Sequence, residues 1–424
     1  MSVAGTALTA APSSHRRIEA LDALRGVAVC GIALMNVIAF AMPANAYLNP
    51  RVHGGTGPLE TALWAIGFLL VEDKFRALFA MLFGAGVAIL LGKAREGGDS
   101  RPVAANTARM VVLLLIGLAH ATLLANNDVL RIYALCGLLL PIAATWPVKR
   151  LLWAAGLLVA GQLAVSGFYA WGWLEYWYRG ASGMAVDPAP ALVAEQTYGG
   201  DPAQVAAALE QGRGSFTERL DRRLDTLAIQ ARFIVASIPS ALASMLLGMA
   251  LWRCGLLAGE WEASRALRLT RRCALATTPV LAALAAWSIL SGFDAIVTAA
   301  NAIVLSAPFD IVLSVGYAAL AMALFGGALA EHRVTRTFAA AGRLALTNYL
   351  ATSVIFAAIF ASWGLGLFGE VSRGPALLIS LVPITAILLW SRPWLSPFRQ
   401  GPAEWLWRSL ARLKPLPLRR RPET

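Results

Sequence analysis

The sequence predicts an all-α, polytopic integral membrane bundle of about ten transmembrane helices with both termini cytoplasmic. Three observations carry this. Of 424 residues, 58% are hydrophobic and only 14% charged, where a soluble domain has roughly a quarter charged residues. The apolar residues fall into runs of membrane-crossing length. The 36 Lys and Arg, against 24 Asp and Glu, gather in alternate connections between those runs. The composition excludes a disordered chain, a coiled coil and a collagen-like repeat. The net charge of +12 is therefore an orientation signal before it is a nucleic-acid footprint.

Crossing about 30 Å of hydrocarbon takes roughly 20 residues at 1.5 Å each, with about 17 as a minimum. Ten windows without Asp, Glu, Lys or Arg are candidates: 26–50, 77–92, 110–127, 132–148, 151–174, 233–252, 273–293, 311–330, 344–369 and 374–391. Residues 1–20 are expected to be a disordered cytoplasmic tail, because they lack the basic-then-apolar order of a signal peptide. An amphipathic stretch at 59–71 leads into the short second window. Counting it as a crossing would put the basic connection at 93–109 outside, so it reads as interfacial or re-entrant. Residues 21–174 then form a five-span half, 175–232 an extracytoplasmic loop, 233–408 a second five-span half and 409–424 a basic cytoplasmic tail. Two odd-numbered halves have inverted topology, a feature of secondary transporters. Pro141, Pro239, Pro279 and Pro383 lie inside spans and predict kinks. The sequence WGWLEYWY at 171–178 suits an aromatic interfacial belt.

Cys30, Cys136, Cys254 and Cys273 form no CxxC pair, so neither a disulfide framework nor a thiolate metal site is expected. One intramembrane histidine is too few for a His-based metal site. GLGLFG at 364–369 fits a dinucleotide fingerprint but has no βαβ context. The cationic tail gives no further support for nucleic-acid binding.

Ionisable groups in spans are costly and are functional candidates by default. An outer cluster holds Glu72, Asp73, Lys74 and Arg76 at the mouth of the second span, with His120, Asn126, Asn127, Asp128, Arg131 and Tyr133 around the tight connection between the third and fourth. A buried-side imidazole with carboxylates nearby is what a general base and its orienting acid require. The structural alternative is a histidine bonded to a backbone carbonyl at a kink. An inner cluster, LDALRG at 21–26, places Asp22 and Arg25 one helical turn apart. Two readings follow: Asp22 as an N-cap with Arg25 as a snorkelling anchor, or the two together as an anion site for a phosphate-bearing donor. GRLALTNYLATS at 342–353 draws a polar stripe, and Asn36 adds another polar group; both suit interhelical bonding. GPAEWLWR at 401–408 suits an interfacial anchoring helix, with Trp405, Trp407 and Arg408 at the headgroups.

RIEALDALRGVAVCGIALMN (17–36), KFRALFAMLFGAGVAIL (74–90) and HATLLANNDVLRIYALCG (120–137) resemble the N-terminal half of YeiB-like membrane proteins. MLLGMALWRCGLL (245–257), AGRLALTNYLATS (341–353) and GPAEWLWR resemble that family's C-terminal domain of unknown function 418. The N-terminal pattern is also similar to integral-membrane acyltransferases of the heparan-α-glucosaminide acetyltransferase type. That resemblance implies an acyl-CoA-type donor entering from the cytoplasm and acyl transfer to an external hydroxyl or amine on a glycan or lipid. Asp22 and Arg25 match its opening motif, and His120 and Asp128 its histidine and aspartate. The sequence departs from the pattern at Asn127, where glycine usually precedes the aspartate, and at Thr352, where glutamine is common.

The expected function is acyl transfer in a bacterial inner membrane, with no permanently bound cofactor. His120 deprotonates the acceptor; Asp128, Glu72 or Asp73 fixes its tautomer; Arg76 or Arg131 steadies the oxyanion. Arg25, with Arg253 and Arg343, holds donor phosphates beside Asp22. The alternatives are a proton-coupled secondary transporter using the same groups and a non-catalytic membrane scaffold.

Overall fold

A computed structural model describes residues 14–98, 101–125 and 128–420, and among these the chain is helical with no β-sheet. The first half contains α1 (Ser14–Ala41), α2 (Pro58–Leu70), α3 (Lys74–Glu96), α4 (Pro102–Leu123), α5 (Leu130–Leu139) and α6 (Val148–Ala181). Shorter helices follow: α7 (Ala189–Tyr198), α8 (Pro202–Arg213) and α9 (Phe216–Asp225). The second half contains α10 (Leu227–Arg253), α11 (Ala263–Leu290), α12 (Ala295–Ala299) and α13 (Ala307–Ala323). It ends with α14 (Arg333–Arg343), α15 (Ala345–Phe360), α16 (Arg373–Trp394) and α17 (Pro402–Ala411).

Among the described residues, 8 helical segments are long and apolar enough to cross a membrane, or 9 if α14 and α15, bent by 83°, are one span. The ten expected spans differ from this at 132–148. There the chain makes only 10 residues of α5 and a 4-residue 3-10 turn. Pro141 lies in that turn and lacks the N–H that would continue the α-helical ladder. The stretch at 59–71 is the 13-residue α2, about 20 Å long and too short to cross alone. It runs into α3 through Asp73, whose φ of 57° is left-handed, a conformation Asp tolerates better than most residues. The segment 175–232 is mostly helical. The start of α9 is set by a reciprocal cap, in which Ser215 Oγ accepts from Glu218 N–H and the Glu218 carboxylate accepts from Ser215 N–H at 2.7 Å.

Lipid offers no hydrophobic drive between helices, so close packing must supply it. Two crossings show how. Where α3 meets α10, a Cβ on Gly84 would collide with the Met245 carbonyl, and one on Gly248 with the Met81 carbonyl. Where α1 meets α14, a Cβ on Gly26 would collide with the Phe338 carbonyl, and one on Gly342 with the Asp22 carbonyl. Each crossing uses one glycine from each helix. Met81, Met245 and Met249 are fully buried around the first.

The bend at Leu344 leaves the first N–H groups of α15 without intrahelical partners. Glu404 of α17 supplies them. Its Oε1 accepts from Leu346 N–H at 2.7 Å and Thr347 N–H at 3.1 Å, and its Oε2 from the Thr347 hydroxyl at 2.5 Å. A carboxylate here also faces the positive end of the α15 dipole. Trp407 Nε1 donates to the Arg109 carbonyl at 2.7 Å, so α17 is tied to α4 as well. Asn348 bridges α14 to α16 by donating to the Ala341 carbonyl and accepting from Trp390 Nε1 at 2.9 Å.

Gly248→Val is expected to destabilise the detergent-solubilised protein by about 1–3 kcal/mol, the usual cost of overpacking. Gly86→Ala, on the same α3 with nothing within 4 Å of the added carbon, should leave the thermal midpoint unchanged or raise it. Equal losses would contradict the close-crossing account. Burial raises the Glu404 carboxyl above its ordinary range despite the bonds from Thr347. A raised folded-state value means stability is full below the unfolded value and declines as pH rises through the folded one. Glu404→Gln should flatten that decline in thermal midpoints measured against pH.

Candidate functional site

The α4–α5 connection doubles back tightly. The N–H groups of Leu124 and Ala125 close on the His120 carbonyl at 2.9 and 3.0 Å, and Asp128 returns to place Oδ1 at 2.8 Å from His120 Nδ1. Both side chains are buried, at 1% and 0% exposure. Asp128 also begins α5: its Oδ2 accepts from Arg131 N–H at 3.0 Å and lies 3.6 Å from Arg131 Nε. The Arg131 guanidinium donates in turn to Gln230 of α10 at 2.8 Å. Tyr349 of α15 donates to Asp128 Oδ1 at 3.4 Å, accepts from Val129 N–H, and sets its ring 5.1 Å from the imidazole.

Gly117, one turn before His120, makes room for this: a Cβ there would lie 2.9 Å from Asp128 Oδ2. Arg223 of α9 closes the end of α4 by donating to the Thr122 and Leu124 carbonyls at 3.0 and 2.9 Å. An Nδ1–H bonded to a carboxylate fixes the tautomer that leaves Nε2 with a lone pair. That Nε2 is buried and, among the described residues, has no hydrogen-bond partner. Imidazole, carboxylate, phenol and guanidinium thus converge from α4, α5 and α15, and the arrangement can accept a proton and hold the resulting charge. Asn126 and Asn127 lie outside the described residues.

The other half of the predicted outer cluster builds a separate network. Arg76 pairs locally with Asp73 at 2.6 Å, its side chain 56% exposed. Lys74 reaches Asp310 of α13 at 2.6 Å, with side chains only 1% and 4% exposed. Lys74 also donates to the Phe68 carbonyl, and Ser314 Oγ bonds the Lys74 carbonyl at 2.7 Å. Glu72 is buried among the charges of Asp73, Lys74, Asp310 and Arg373. Arg373 of α16 donates to the Ala46 carbonyl at 2.5 Å. Tyr133, whose hydroxyl donates to the Arg76 carbonyl at 2.7 Å, connects the two networks. Glu72 and Asp73 therefore do not orient His120; Asp128 does.

Sequence reasoning missed Asp310, Arg373, Tyr349, Gln230 and Arg223. A signal existed for the first two. Each lies immediately outside an uncharged window, at 311–330 and 374–391, and the charge itself sets the window's edge. Tyr349 belongs to the polar stripe expected to bond between helices, the role that Thr347 and Asn348 do have.

Of the predicted donor-site residues, Asp22 and Arg25 pair at 2.5 Å with side chains 16% and 25% exposed. Gly342 packs on the Asp22 backbone, so exposed Arg343 stands beside that crossing. Arg253 is committed elsewhere: its guanidinium donates to the Ala144 and Trp146 carbonyls after α5. Carbonyls at that broken helix end need donors, which explains its place.

Lys74→Ala would leave Asp310 buried and unpaired, with an expected loss of about 3–5 kcal/mol. The double variant Lys74→Met/Asp310→Leu should recover much of it. Thermal unfolding in detergent reads both, and equal losses in single and double variants would contradict the pairing.

A family described as a protein of unknown function (DUF418) matches residues 251–414. The chain is 33% identical over 406 residues to an uncharacterized protein, YeiB, of Escherichia coli (strain K12), covering 92% of this chain and 95% of that one. It is 28% identical over 422 residues to an uncharacterized protein, YxaH, of Bacillus subtilis (strain 168), covering 96% of each. A third similarity, 31% over 124 residues, is to an uncharacterized 39.9 kDa protein in the amylase 3′ region of Bacillus acidopullulyticus and covers 29% of this chain. No solved structure matches. With a third of residues identical across nearly the whole of both chains, this helical membrane protein belongs to the YeiB family, with the DUF418 region as its C-terminal part.

Proposed function

We propose that the protein is a membrane acyltransferase, moving an acyl group from an acyl-CoA-type donor to a hydroxyl or amine acceptor at the His120–Asp128 pair. The observation that supports this most directly is the buried imidazole held by Asp128 through Nδ1, with Nε2 unpartnered among the described residues. In this reading Nε2 takes the proton of the acceptor O–H or N–H as that atom attacks the thioester carbonyl. The new C–O or C–N bond forms, the C–S bond breaks, and the leaving thiolate recovers the proton from His120. Asp128, fixed by Arg131 and Tyr349, holds the imidazole orientation and offsets the imidazolium charge. Arg131, beside Asp128, is the guanidinium assigned to the developing oxyanion; Arg76, paired with Asp73 in the other network, is not. Arg25 and Arg343, beside Asp22, are assigned to donor phosphates; Arg253, already bound to two carbonyls, is not. The charge rule places that end in the cytoplasm and His120 towards the opposite face, and the bacterial relatives favour a plasma membrane.

One observation favours a second reading, proton-coupled transport. The buried Lys74–Asp310 pair joins two membrane-length helices, and such pairs mark ion pathways.

Purified protein in nanodiscs, given a mixed acyl-CoA pool and a membrane glycan and lipid extract, should release free CoA thiol. His120→Ala should reduce release by roughly 10²–10⁴-fold, with Asp128→Asn impaired and fold intact by thermal midpoint. No release by the wild type, or a full rate in His120→Ala, would overturn the acyltransfer reading. Proton-dependent solute uptake by proteoliposomes, lost in Asp310→Asn, would put transport in its place.

A further inference from the structure

We infer that α17 and the neighbouring end of α4 form a binding site for the headgroup of an anionic phospholipid. The inference goes beyond acyl transfer and does not depend on it. Three arginines meet here, Arg109 of α4 and Arg408 and Arg412 of α17, with Arg25 of α1 close enough for its charge to reach Arg408. The Trp407–Arg109 hydrogen bond of 2.7 Å fixes α17 against α4, and Arg408 and Arg412 stand one helical turn apart. Arg109 senses the charges of Arg408 and Arg412, and Arg408 those of Glu404, Arg412 and Arg25. The two carboxylates close by are already committed. Asp22 is paired with Arg25 at 2.5 Å, and Glu404 is buried and accepts three hydrogen bonds from the start of α15. Among the described residues, Arg109, Arg408 and Arg412 form no ion pair. Arg408 has only the neutral Gln400 side chain, at 2.9 Å.

Concentrated like charge of this kind needs an anion to offset it. The surroundings indicate which anion. On α17, Leu406 and Leu410 are 44% and 48% exposed, and Leu413 just beyond it is 92% exposed. Outward leucines on one face of the helix, with Arg408 and Arg412 on the other, make an interfacial helix, whose leucines enter the acyl region while its guanidiniums lie at phosphate depth. A basic pocket between helices at that depth suits a phosphate-bearing lipid carrying net negative charge, and planar guanidinium matches phosphate geometry bidentately.

The test uses full-length protein in mild detergent, titrated separately with cardiolipin, phosphatidylglycerol and phosphatidylcholine. Thermal midpoint and lipid retained in native mass spectra are the two readouts. The anionic lipids should raise the midpoint and remain bound, and phosphatidylcholine should do neither. Arg408→Gln/Arg412→Gln should weaken the anionic-lipid response roughly tenfold or more, and 0.5 M salt should act in the same direction. If the double variant does not fold, Arg412→Gln alone carries the test, because that exposed side chain has no partner among the described residues and its loss should still lower affinity several-fold. An unchanged response in these variants, or an equal response to phosphatidylcholine, would overturn the inference. Separate arms contain inorganic phosphate and free CoA; displacement of bound lipid by either at micromolar concentration would assign the arginines to a soluble phosphate ligand instead.

Discussion

The carboxylate of Glu404 on the open end of α15 is the interaction on which most of the arrangement depends. Bending the chain by 83° at Leu344 exposes backbone donors that lipid cannot satisfy. A side chain from more than fifty residues later satisfies them. With that end fixed, the next residues are placed in succession: Thr347 returns a bond to Ala403, Asn348 joins α14 to α16, and Tyr349 reaches Asp128. The same contact holds α17 against the bundle and so gathers the arginines of the basic end.

Close backbone approach is the second constraint. The glycines in LDALRG, FAMLFGAG, MLLGMALWR and AGRLALTN are the four that let α1 meet α14 and α3 meet α10. The motifs that carry the family resemblance are therefore in large part packing motifs. A family defined by such words shares its bundle for a physical reason, whatever chemistry its members perform. The chemistry has to be sought in the polar groups placed between those crossings.

Two buried polar networks stand there with different electrostatic character. Lys74 and Asp310 neutralise each other directly, which is how a charge is tolerated in an apolar interior. His120 and Asp128 are surrounded by donors to the carboxylate, while the second imidazole nitrogen has no partner among the described residues. The first network is internally matched, and the second keeps an open valence. That asymmetry is why the functional proposal rests on His120.

The sequence by itself determined the all-helical membrane architecture, since uncharged apolar runs of about 20 residues cross hydrocarbon as helices, whose backbone groups bond within the segment. It named His120 and three candidate carboxylates, Asp128, Glu72 and Asp73, and only the folded α4–α5 connection puts Asp128 at 2.8 Å from the imidazole. Tertiary structure alone decided the rest. Gln230, Tyr349 and Asp310 join their partners across 99, 221 and 236 positions of chain, and no periodicity reports such distances. Glu404 read as part of an interfacial anchor because its partners are backbone N–H groups, which every residue but proline carries. The fourth predicted span shortened at Pro141 because hydropathy counts residues and not hydrogen bonds. Composition and local spacing fix what must be buried and what can pair within a turn; which helix end needs a carboxylate, and which charge meets which, follows only from how the helices cross.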